Sequence, residues 1–291
     1  MEKGKHKVSI IIPHYNQKEC LKVLLPSIAN QTFTDYEVII IDDCSPDKSV
    51  LEYIKSFIKD YKNMRLVENT ENMRFIKTVN KGIKLANGQY ICLLNSDTEV
   101  RNNFVQRNVE IMDADPSIGA LSCIVVGKDG KNWFTGGMFE KGLSVNLQDD
   151  FQGIRMVDWV AGTACFYRRE VLDKIGLFDE DFGMYHEDVE FGLRMKAKTN
   201  YKACMFAERL VVHYVVPSIP INENYYYEHK NHMLLLRKYA PRYLPKVAFL
   251  TLTDSIIVLA RYVFKGNRRA ISILIPQIRG TIAGLIKVRV K

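Results

Sequence analysis

The chain has 291 residues, of which 47% are hydrophobic and 25% charged, and this composition excludes an intrinsically disordered protein. The formal net charge is +8, and residues 261–291 contain eight Lys or Arg and no Asp or Glu. The surplus of positive charge therefore lies in the C-terminal segment, and this uneven placement disfavours a general nucleic-acid binder. The six cysteines lie far apart with no C-x-x-C pair, which argues against a zinc site and for a reducing compartment.

Neither a signal peptide nor a membrane-spanning helix is predicted. The first apolar run, at residues 8–13, is shorter than the apolar region of a signal peptide, and 18 consecutive apolar residues occur nowhere. We therefore expect a cytoplasmic protein.

Strands and helices alternate through the first hundred residues. Apolar runs predict four strands, at residues 8–13, 36–41, 64–67 and 90–94. Apolar residues at helical spacing predict helices between them, over residues 19–29, 49–60 and 76–86. With right-handed crossovers, this alternation gives an α/β fold with a doubly wound, mostly parallel sheet.

The pattern changes after residue 100. A helix is predicted over residues 104–114 and a strand over 118–126. Residues 127–152 are rich in Gly, Asn and Asp and predict a loose segment. Further on, the sequence predicts a strand over residues 157–168, a helix over 187–198 and a strand over 209–213.

Polar residues stand where three of the first four predicted strands end. They are Pro13, His14 and Tyr15 after the first strand, Asp42 and Asp43 after the second, and Asn95, Ser96 and Asp97 after the fourth. Open α/β sheets bind ligands beyond the carboxyl ends of their strands, so these loops would lie at one edge. A carboxylate there, Asp97 above all, could hold Mg²⁺ or Mn²⁺ against substrate phosphates. Alternatively, these residues only form turns and cap helices.

Two common nucleotide-binding motifs are missing from the sequence. No G-x-G-x-x-G follows the first strand and no G-x-x-x-x-G-K-[ST] occurs, which disfavours a dinucleotide dehydrogenase and a P-loop NTPase. Without a glycine-rich loop, a metal ion would be the simplest way to neutralise phosphates.

Three further positions each allow two interpretations. Small residues including Gly162 and Thr163 would let a ligand approach the backbone, although tight packing under a helix explains them equally well. Glu187 and Asp188 begin a predicted helix, where acids also simply match the helix dipole. His213 ends a predicted strand, and a lone histidine is usually structural rather than a metal ligand.

Four segments resemble, in order and spacing, inverting family 2 glycosyltransferases of the GT-A fold, and among them the rhamnosyltransferases of cell-wall and O-antigen polysaccharides. The segments are VSIIIPHYN, EVIIIDDCSPD, GQYICLLNSDTEV and VAGTACFYRREVLDKIGLFDEDFGMYHEDVEFGLR. The resemblance covers about residues 7–240. It implies a catalytic domain over residues 1–240, with a mostly parallel sheet and a small antiparallel acceptor-side part, followed by a helical tail over residues 241–291.

The resemblance also implies roles for individual residues. The nucleotide would be bound by Pro13, His14, Tyr15, Asp42 or Asp43, Arg74, Asn95 and Ser96, and the donor and acceptor sugars would lie at Gly162 and Thr163. Asp97 would bind the metal with His213, and Asp188 would be the general base with Glu187 beside it. Two departures from the family pattern stand out: Asn95 replaces the first acid of its D-x-D motif, and Arg74 stands where many relatives have glycine.

Together these features predict a metal-dependent enzyme that moves a sugar, with inversion, from a nucleotide-sugar to a saccharide or polyprenyl-linked acceptor in cell-surface polysaccharide synthesis. The expected donor is dTDP-rhamnose, with UDP-sugars next. One alternative is a nucleotidyltransferase, which would usually carry a glycine-rich signature near the first strand. The other is a catalytically silent nucleotide-sugar-binding protein.

The tail alternates apolar stretches with basic residues. From residue 247 onward, VAFLTL, SIIVLARYVF, ISILIPQI and TIAGLIKV are separated by Lys and Arg. This pattern predicts helices that lie in a membrane interface, giving peripheral contact with the inner face of the cell membrane. Helices that pack on the catalytic domain or on a second copy explain it equally well.

Overall fold

The structure is a computed structural model that describes residues 6–216, 220–264 and 268–286. Its first part alternates strands and helices as the sequence predicts. These elements are β1 (His6–His14), α1 (Lys18–Ala29), β2 (Tyr36–Asp42), α2 (Lys48–Ile58), β3 (Met64–Glu68), α3 (Arg74–Leu85) and β4 (Gly88–Leu94). The side chains of β2 are all buried, as expected for a strand covered on both faces.

The second part is richer in strands. Its elements are β5 (Thr98–Val100), α4 (Phe104–Ala114), β6 (Ile118–Gly127), β7 (Asn132–Phe134), β8 (Gly136–Glu140), β9 (Leu143–Leu147), β10 (Ile154–Val157), β11 (Ala164–Arg168), α5 (Arg169–Ile175), α6 (Glu187–Lys198) and β12 (Lys202–His213). Among the described residues that follow β12 there are three α-helices: α7 (Ile221–Tyr239), α8 (Leu244–Phe264) and α9 (Arg268–Ile286).

One mixed sheet forms the centre of the molecule, in the order β10-β12-β6-β11-β4-β1-β2-β3. Strands β1 to β4 pair in parallel where they are neighbours, β12 pairs in parallel with β6, and β11 runs antiparallel between β4 and β6. Short β5 and β7 add to β12 and β6, and β8 and β9 form a separate antiparallel hairpin. The predicted fold class, an α/β fold with a mostly parallel central sheet, a small antiparallel part and C-terminal helices, is confirmed.

This topology gathers the functional candidates at one edge. Strands β1, β2 and β4 end there, and so does β12, because β11 reverses direction between β4 and β6. The start of β11 lies at the same edge, where the Asn95 amide donates to the Thr163 carbonyl (2.8 Å). Pairing of His213 with Thr98 brings the end of β12 beside the loop that follows β4.

Two predicted elements are wrong. The segment 127–152 is not loose, because it contains the strand β7 and the hairpin of β8 and β9. The single strand predicted over residues 157–168 is interrupted, and only its end forms β11. Before β11 the chain turns, since the Asp158 carboxylate accepts a hydrogen bond from the Phe139 amide of β8 (2.8 Å) and is paired with Lys196 of α6 (2.6 Å).

The C-terminal helices pack on one another and on the rest of the chain. Helix α9 approaches α7 closely at two glycines: a Cβ at Gly280 would lie 2.3 Å from the Tyr226 carbonyl oxygen, and one at Gly284 would lie 2.4 Å from that of Lys230. Helix α8 packs mainly on α9. No helix in the described residues is long and apolar enough to cross a bilayer. The division at residue 240 stays a prediction.

Candidate active site

Two adjoining cavities open at the sheet edge where the strand ends meet. The first, of about 390 Å³, lies over the ends of β1 and β2. The second, of about 600 Å³, lies between the end of β4, the start of α6 and the hairpin of β8 and β9. They share the side chains of Phe75, Asn95, Asp97, Met184 and Val216. A ligand could therefore reach from the first cavity into the second past Asp97.

The first cavity contains most of the predicted nucleotide-binding residues: its lining includes Pro13, His14, Tyr15, Asp43, Arg74, Asn95 and Ser96. The Asp43 carboxylate is held firmly, because its Oδ1 accepts hydrogen bonds from the Asn69 side chain, the Met73 amide and the Thr78 hydroxyl, each at 2.8 Å. Since all three donors contact Oδ1, the other oxygen of Asp43, Oδ2, is available to a hydroxyl or N–H donor of a ligand.

Asp42 does not line the cavity. Its buried carboxylate accepts hydrogen bonds from the amide and hydroxyl of Ser45 and so closes the loop after β2. Of the two aspartates predicted to contact the base or ribose, the structure places only Asp43 where it could do so.

His14 lies in the wall of the cavity with its ring fully buried. Neither ring nitrogen has a hydrogen-bond partner among the described residues, and Nε2 is 3.9 Å from Asp42. Burial lowers the pKa of His14 to about 4, against the opposing effect of Asp42. The ring is therefore neutral near pH 7 and contributes shape rather than charge.

Arg74 lies at the rim of the first cavity, with a left-handed backbone (φ 65°). Its guanidinium pairs with Glu223 of α7 (2.9 Å) and lies over the Tyr227 ring. A glycine at this position would adopt that φ without a steric cost. On the opposite side of the cavity, the Ser96 hydroxyl donates to the Gln17 side chain.

Asp97 and His213 form a buried pair at the junction of the two cavities. Asp97 Oδ2 lies 3.3 Å from His213 Nε2 and accepts a hydrogen bond from the Val216 amide (2.9 Å). Burial opposes ionisation of Asp97, but the hydrogen bond and charge of His213 outweigh it and hold the pKa of the carboxyl below its usual value. The Trp133 ring packs edge-on against His213.

These residues could supply part of a divalent-metal site. Asp97 and His213 are a hard oxygen and an imidazole nitrogen, which suit Mn²⁺, and the buried Oδ1 of Asn95 has no partner in the described part of the chain. No group of three or more His, Cys, Asp or Glu ligands occurs among the described residues. Phosphate oxygens and water would have to complete the coordination, as they commonly do for Mg²⁺ bound to nucleotides.

Glu187 and Asp188 line the second cavity together with Asp97 and His213. Burial, and then the charge of Asp188, raise the pKa of Glu187 to about 8, and its Oε2 has no partner among the described residues. Burial also raises the pKa of Asp188, but its carboxylate accepts hydrogen bonds from the Gly162 amide (3.0 Å) and the Val189 amide (2.8 Å), which favour the charged form. The amide contacts therefore favour the charged form of Asp188, and Glu187, which has no such contact to its Oε2, is the group that keeps its proton up to about pH 8.

Gly162 and Thr163 also line the second cavity. A Cβ at position 162 would lie 3.7 Å from Glu187 Oε1 and 3.9 Å from the Asp188 Cβ, which is ordinary van der Waals contact. A methyl group would therefore fit at this position, beside the acid pair.

Several residues of the site were not predicted from the sequence. Thr78 and Asn69 orient Asp43, Met184 contributes to both cavities, and Trp133 and Trp159 line the second one. A buried polar residue at a core position of a helix, such as Thr78 in α3, is the signal that could have identified the first of these.

Comparison with known proteins identifies a family whose members resemble this chain. The sequence model described as "Glycosyl transferase family 2" matches residues 9–176. The O-antigen biosynthesis protein RfbC of Myxococcus xanthus is 28% identical over 230 residues, which are 72% of this chain and 18% of that protein. The amylovoran biosynthesis glycosyltransferase AmsB of Erwinia amylovora is 26% identical over 214 residues, 72% of this chain and 69% of that protein. The chain thus spans less than a fifth of the length of RfbC.

Among solved structures, the mannosyltransferase PcManGT of Pyrobaculum calidifontis, crystallised with GDP-Man and Mn²⁺, superposes with a TM-score of 0.62. It is 18% identical, and the match covers 98% of this chain and 88% of that one. At this identity the likeness establishes the fold alone.

Proposed function

Since the chain belongs to glycosyl transferase family 2, we propose that it transfers a sugar from a nucleotide-sugar to an acceptor hydroxyl with inversion at the anomeric carbon. One observation supports this most strongly. Asp97, His213 and Asp188 come from three separate parts of the chain and all line the second cavity. That cavity adjoins the first one, whose lining is rich in polar side chains. A protein that only bound a nucleotide-sugar would not need a buried carboxylate pair beside that ligand.

The nucleotide of the donor would occupy the first cavity. Asp43 Oδ2 accepts a hydrogen bond from the base or ribose, and Tyr15, which is partly exposed there, packs against the base. The diphosphate then lies towards Asp97, with Arg74 at the rim to interact with its charge. We expect dTDP-rhamnose or a UDP-sugar as the donor.

Mg²⁺ or Mn²⁺ would be held by Asp97 and His213. When bound, such an ion stabilises the negative charge of a leaving diphosphate as a Lewis acid. Asn95 offers a neutral oxygen where the family pattern has an acid, so the protein supplies one negative charge fewer and the nucleotide itself must contribute more of the coordination.

Asp188 is the general base of the proposed reaction. The acceptor oxygen attacks the anomeric carbon from the side opposite the diphosphate, the bond from that carbon to the phosphate oxygen breaks, and Asp188 takes the acceptor's proton. The Gly162 and Val189 amides favour the ionised form of Asp188 and orient its carboxylate. Proton removal by a positioned carboxylate contributes about 10²- to 10⁴-fold.

The acceptor would occupy the second cavity. Its volume of about 600 Å³ and its lining of tryptophans and polar side chains suit a saccharide, since aromatic rings pack against the apolar faces of sugars. The names of RfbC and AmsB associate these relatives with O-antigen and amylovoran biosynthesis. We therefore place the reaction in cell-surface polysaccharide synthesis, with a saccharide or polyprenyl-linked saccharide as acceptor.

Thermal unfolding with dTDP-, UDP- and GDP-sugars, each with and without Mn²⁺, tests the donor assignment. A donor at 100 times its Kd adds about 2.7 kcal/mol to the free energy of unfolding. We expect one nucleotide class to raise the melting temperature, and to do so more strongly with Mn²⁺. If no sugar nucleotide raises it, while a free nucleoside triphosphate does, the nucleotidyltransferase alternative is favoured.

The C-terminal helices would give the protein peripheral contact with an anionic membrane. Apolar side chains are exposed along one face of α8 (Phe249, Leu250, Ile256 and Ile257) and on α9 (Ile275, Ile282 and Ile286). Phe249 retains 67% of its accessible surface. Residues 241–291 contain ten Lys or Arg and one Asp, so this segment of the sequence is strongly basic. A basic segment whose helices expose apolar side chains suits the interface of anionic lipids.

Vesicle sedimentation of the full chain tests this contact. The double substitution Phe249→Asp and Ile257→Asp places two charges on the exposed face of α8, and we expect it to abolish co-sedimentation with vesicles that contain anionic lipid. Val23→Asp, at an exposed position on α1, is the matched control and should sediment like the wild type. Equal sedimentation of all three proteins, or none with the wild type, would leave the helices as protein-packing elements.

A further inference from the structure

The turn that leads into Glu187 and Asp188 has an unusual backbone. Gly183, Tyr185 and His186 all adopt left-handed conformations, with φ of 73°, 65° and 63°. Two consecutive non-glycine residues with positive φ are rare, because their Cβ atoms crowd the following carbonyl oxygens. Such a turn persists only where the surroundings hold it in place.

The start of α6 is not fixed by a capping side chain. His186 is its N-cap residue, and its side chain makes no capping hydrogen bond. Besides the Gly162 and Val189 amides that contact Asp188, the position of the acid pair therefore depends on what holds the turn before it. This turn also reaches the ligand cavities directly, because Met184 lines both of them.

Helix α7 holds the turn from behind through buried donors. Asn231 is fully buried, and its Nδ2 lies within hydrogen-bond distance of the carbonyl oxygens of Phe182 (2.9 Å), Met184 (2.6 Å) and Tyr185 (2.8 Å). The two hydrogens of one amide are thus shared among three carbonyls. One position earlier, Lys230 Nζ donates to the Asp181 carbonyl (2.8 Å).

Two side chains of the turn reach back to the same face of α7. The Tyr185 hydroxyl donates to Asn224 Oδ1 (3.0 Å), and His186 Nε2 lies 2.9 Å from a Glu228 carboxylate oxygen. Asn224, Glu228 and Asn231 are spaced by four and three residues, so they form one stripe along the helix. The stripe faces the turn that precedes the acid pair.

We propose that Asn231 and Glu228 are positioning residues, which hold the 182–186 turn so that Asp188 meets the acceptor hydroxyl. The inference rests on the proposed transferase function. It goes beyond that function by assigning to α7, outside the family-matched residues 9–176, control over the geometry of the general base. Misplacement of a reacting group by about 1 Å costs about 10²-fold in rate.

Asn231→Leu removes the donors while keeping a side chain of similar size. We expect kcat to fall about 10- to 100-fold with the Kd for the donor within about twofold of the wild type. Asn222→Leu, an exposed position on the same helix, is the matched control and should leave kcat unchanged within about twofold. If Asn231→Leu leaves kcat unchanged, or if kcat and donor affinity fall together, the proposal is wrong.

A double-mutant cycle separates positioning from a general loss of structure. If Asn231 acts through Asp188, adding Asn231→Leu to Asp188→Asn costs no further activity, because the group being positioned is already inactive. If adding Asn231→Leu lowers the activity of Asp188→Asn by the same factor as it lowers that of the wild type, Asn231 acts elsewhere.

Glu228→Gln and amide exchange keep the inference testable if Asn231→Leu does not fold. Glu228 is about half exposed, so its replacement is mild, yet it weakens the contact with His186; we expect a several-fold lower kcat and an unchanged donor Kd. Hydrogen–deuterium exchange needs no activity, so it separates failure of this inference from failure of the transferase assignment. Faster exchange of the amides of residues 184–190 in Glu228→Gln than in Asn222→Leu supports the positioning role of α7, and equal exchange contradicts it.

Discussion

Replacing Glu187 with glutamine should change how stability depends on pH. Glu187 is 8% exposed and, through burial and the charge of Asp188, its pKa is raised from 4.5 to about 8. Between these values the folded protein keeps a proton that the unfolded chain releases, so the free energy of unfolding falls as pH rises. One pKa unit corresponds to about 1.4 kcal/mol, and the contribution of Glu187 is therefore at most about 5 kcal/mol between pH 4.5 and 8.

Urea unfolding at pH 5, 6, 7 and 8 measures the effect. The quantity to compare is the slope of the free energy of unfolding against pH, because the constant cost of burying an amide cancels from it. We expect the wild type to lose stability more steeply than Glu187→Gln, so that the free energy of unfolding of the wild type minus that of Glu187→Gln falls steadily from pH 5 towards pH 8. Glu71→Gln, at an exposed position, is the control and should follow the wild type. Parallel curves for wild type and Glu187→Gln would refute the buried, protonated state of Glu187.

Three further substitutions test separate parts of the site. Asp97→Asn should weaken Mn²⁺-dependent donor binding at least tenfold in calorimetry but change metal-free binding by less than about twofold; equal losses in both would remove the metal role. Thr78→Val removes one donor to Asp43 and should raise the donor Kd several-fold, with kcat at saturation kept; an unchanged Kd would mean that Asp43 does not touch the nucleotide. Gly192→Ala places a Cβ 2.4 Å from the Asp158 carbonyl oxygen and should destabilise the protein by about 1–3 kcal/mol in urea unfolding, whereas wild-type stability would contradict the close packing of α6 beneath the second cavity.

The position of the site was predictable because it depends on topology. Carboxyl ends of parallel strands share an edge, so the polar residues after β1, β2 and β4 had to converge once the alternation of strands and helices was recognised. His213 could be placed only by the structure, since no feature of the nearby sequence shows that β12 runs parallel to β6. The sequence also could not distinguish Asp42 from Asp43, because adjacent residues of a strand end point to opposite sides.

The errors have a common physical origin in long-range contacts. Glycines made residues 127–152 look loose, yet Gly137 lies in a strand where a Cβ would be 2.0 Å from the Trp159 ring, so the glycine is a requirement of packing. The stripe of α7 that holds the turn before Asp188 was missed for a related reason. Its partners are backbone carbonyls, and no pattern of side chains indicates which carbonyls a distant asparagine will meet.

The family was predictable from four segments, and the family model confirms it. The rhamnosyltransferase subgroup, the inversion and the roles of individual residues stay predictions. They depend on the substrates, whose identity follows from the exact shape of the two cavities and not from the spacing of motifs.

Asp188→Asn tests the central claim most directly, because the change removes the proposed base while preserving the shape of the side chain and one oxygen that can accept from the Gly162 or the Val189 amide. Donor binding is measured by calorimetry and sugar transfer by product formation, both in the presence of Mn²⁺. The account predicts a donor Kd within about twofold of the wild type and a kcat lower by about 10²- to 10⁴-fold. Wild-type turnover in Asp188→Asn would contradict it.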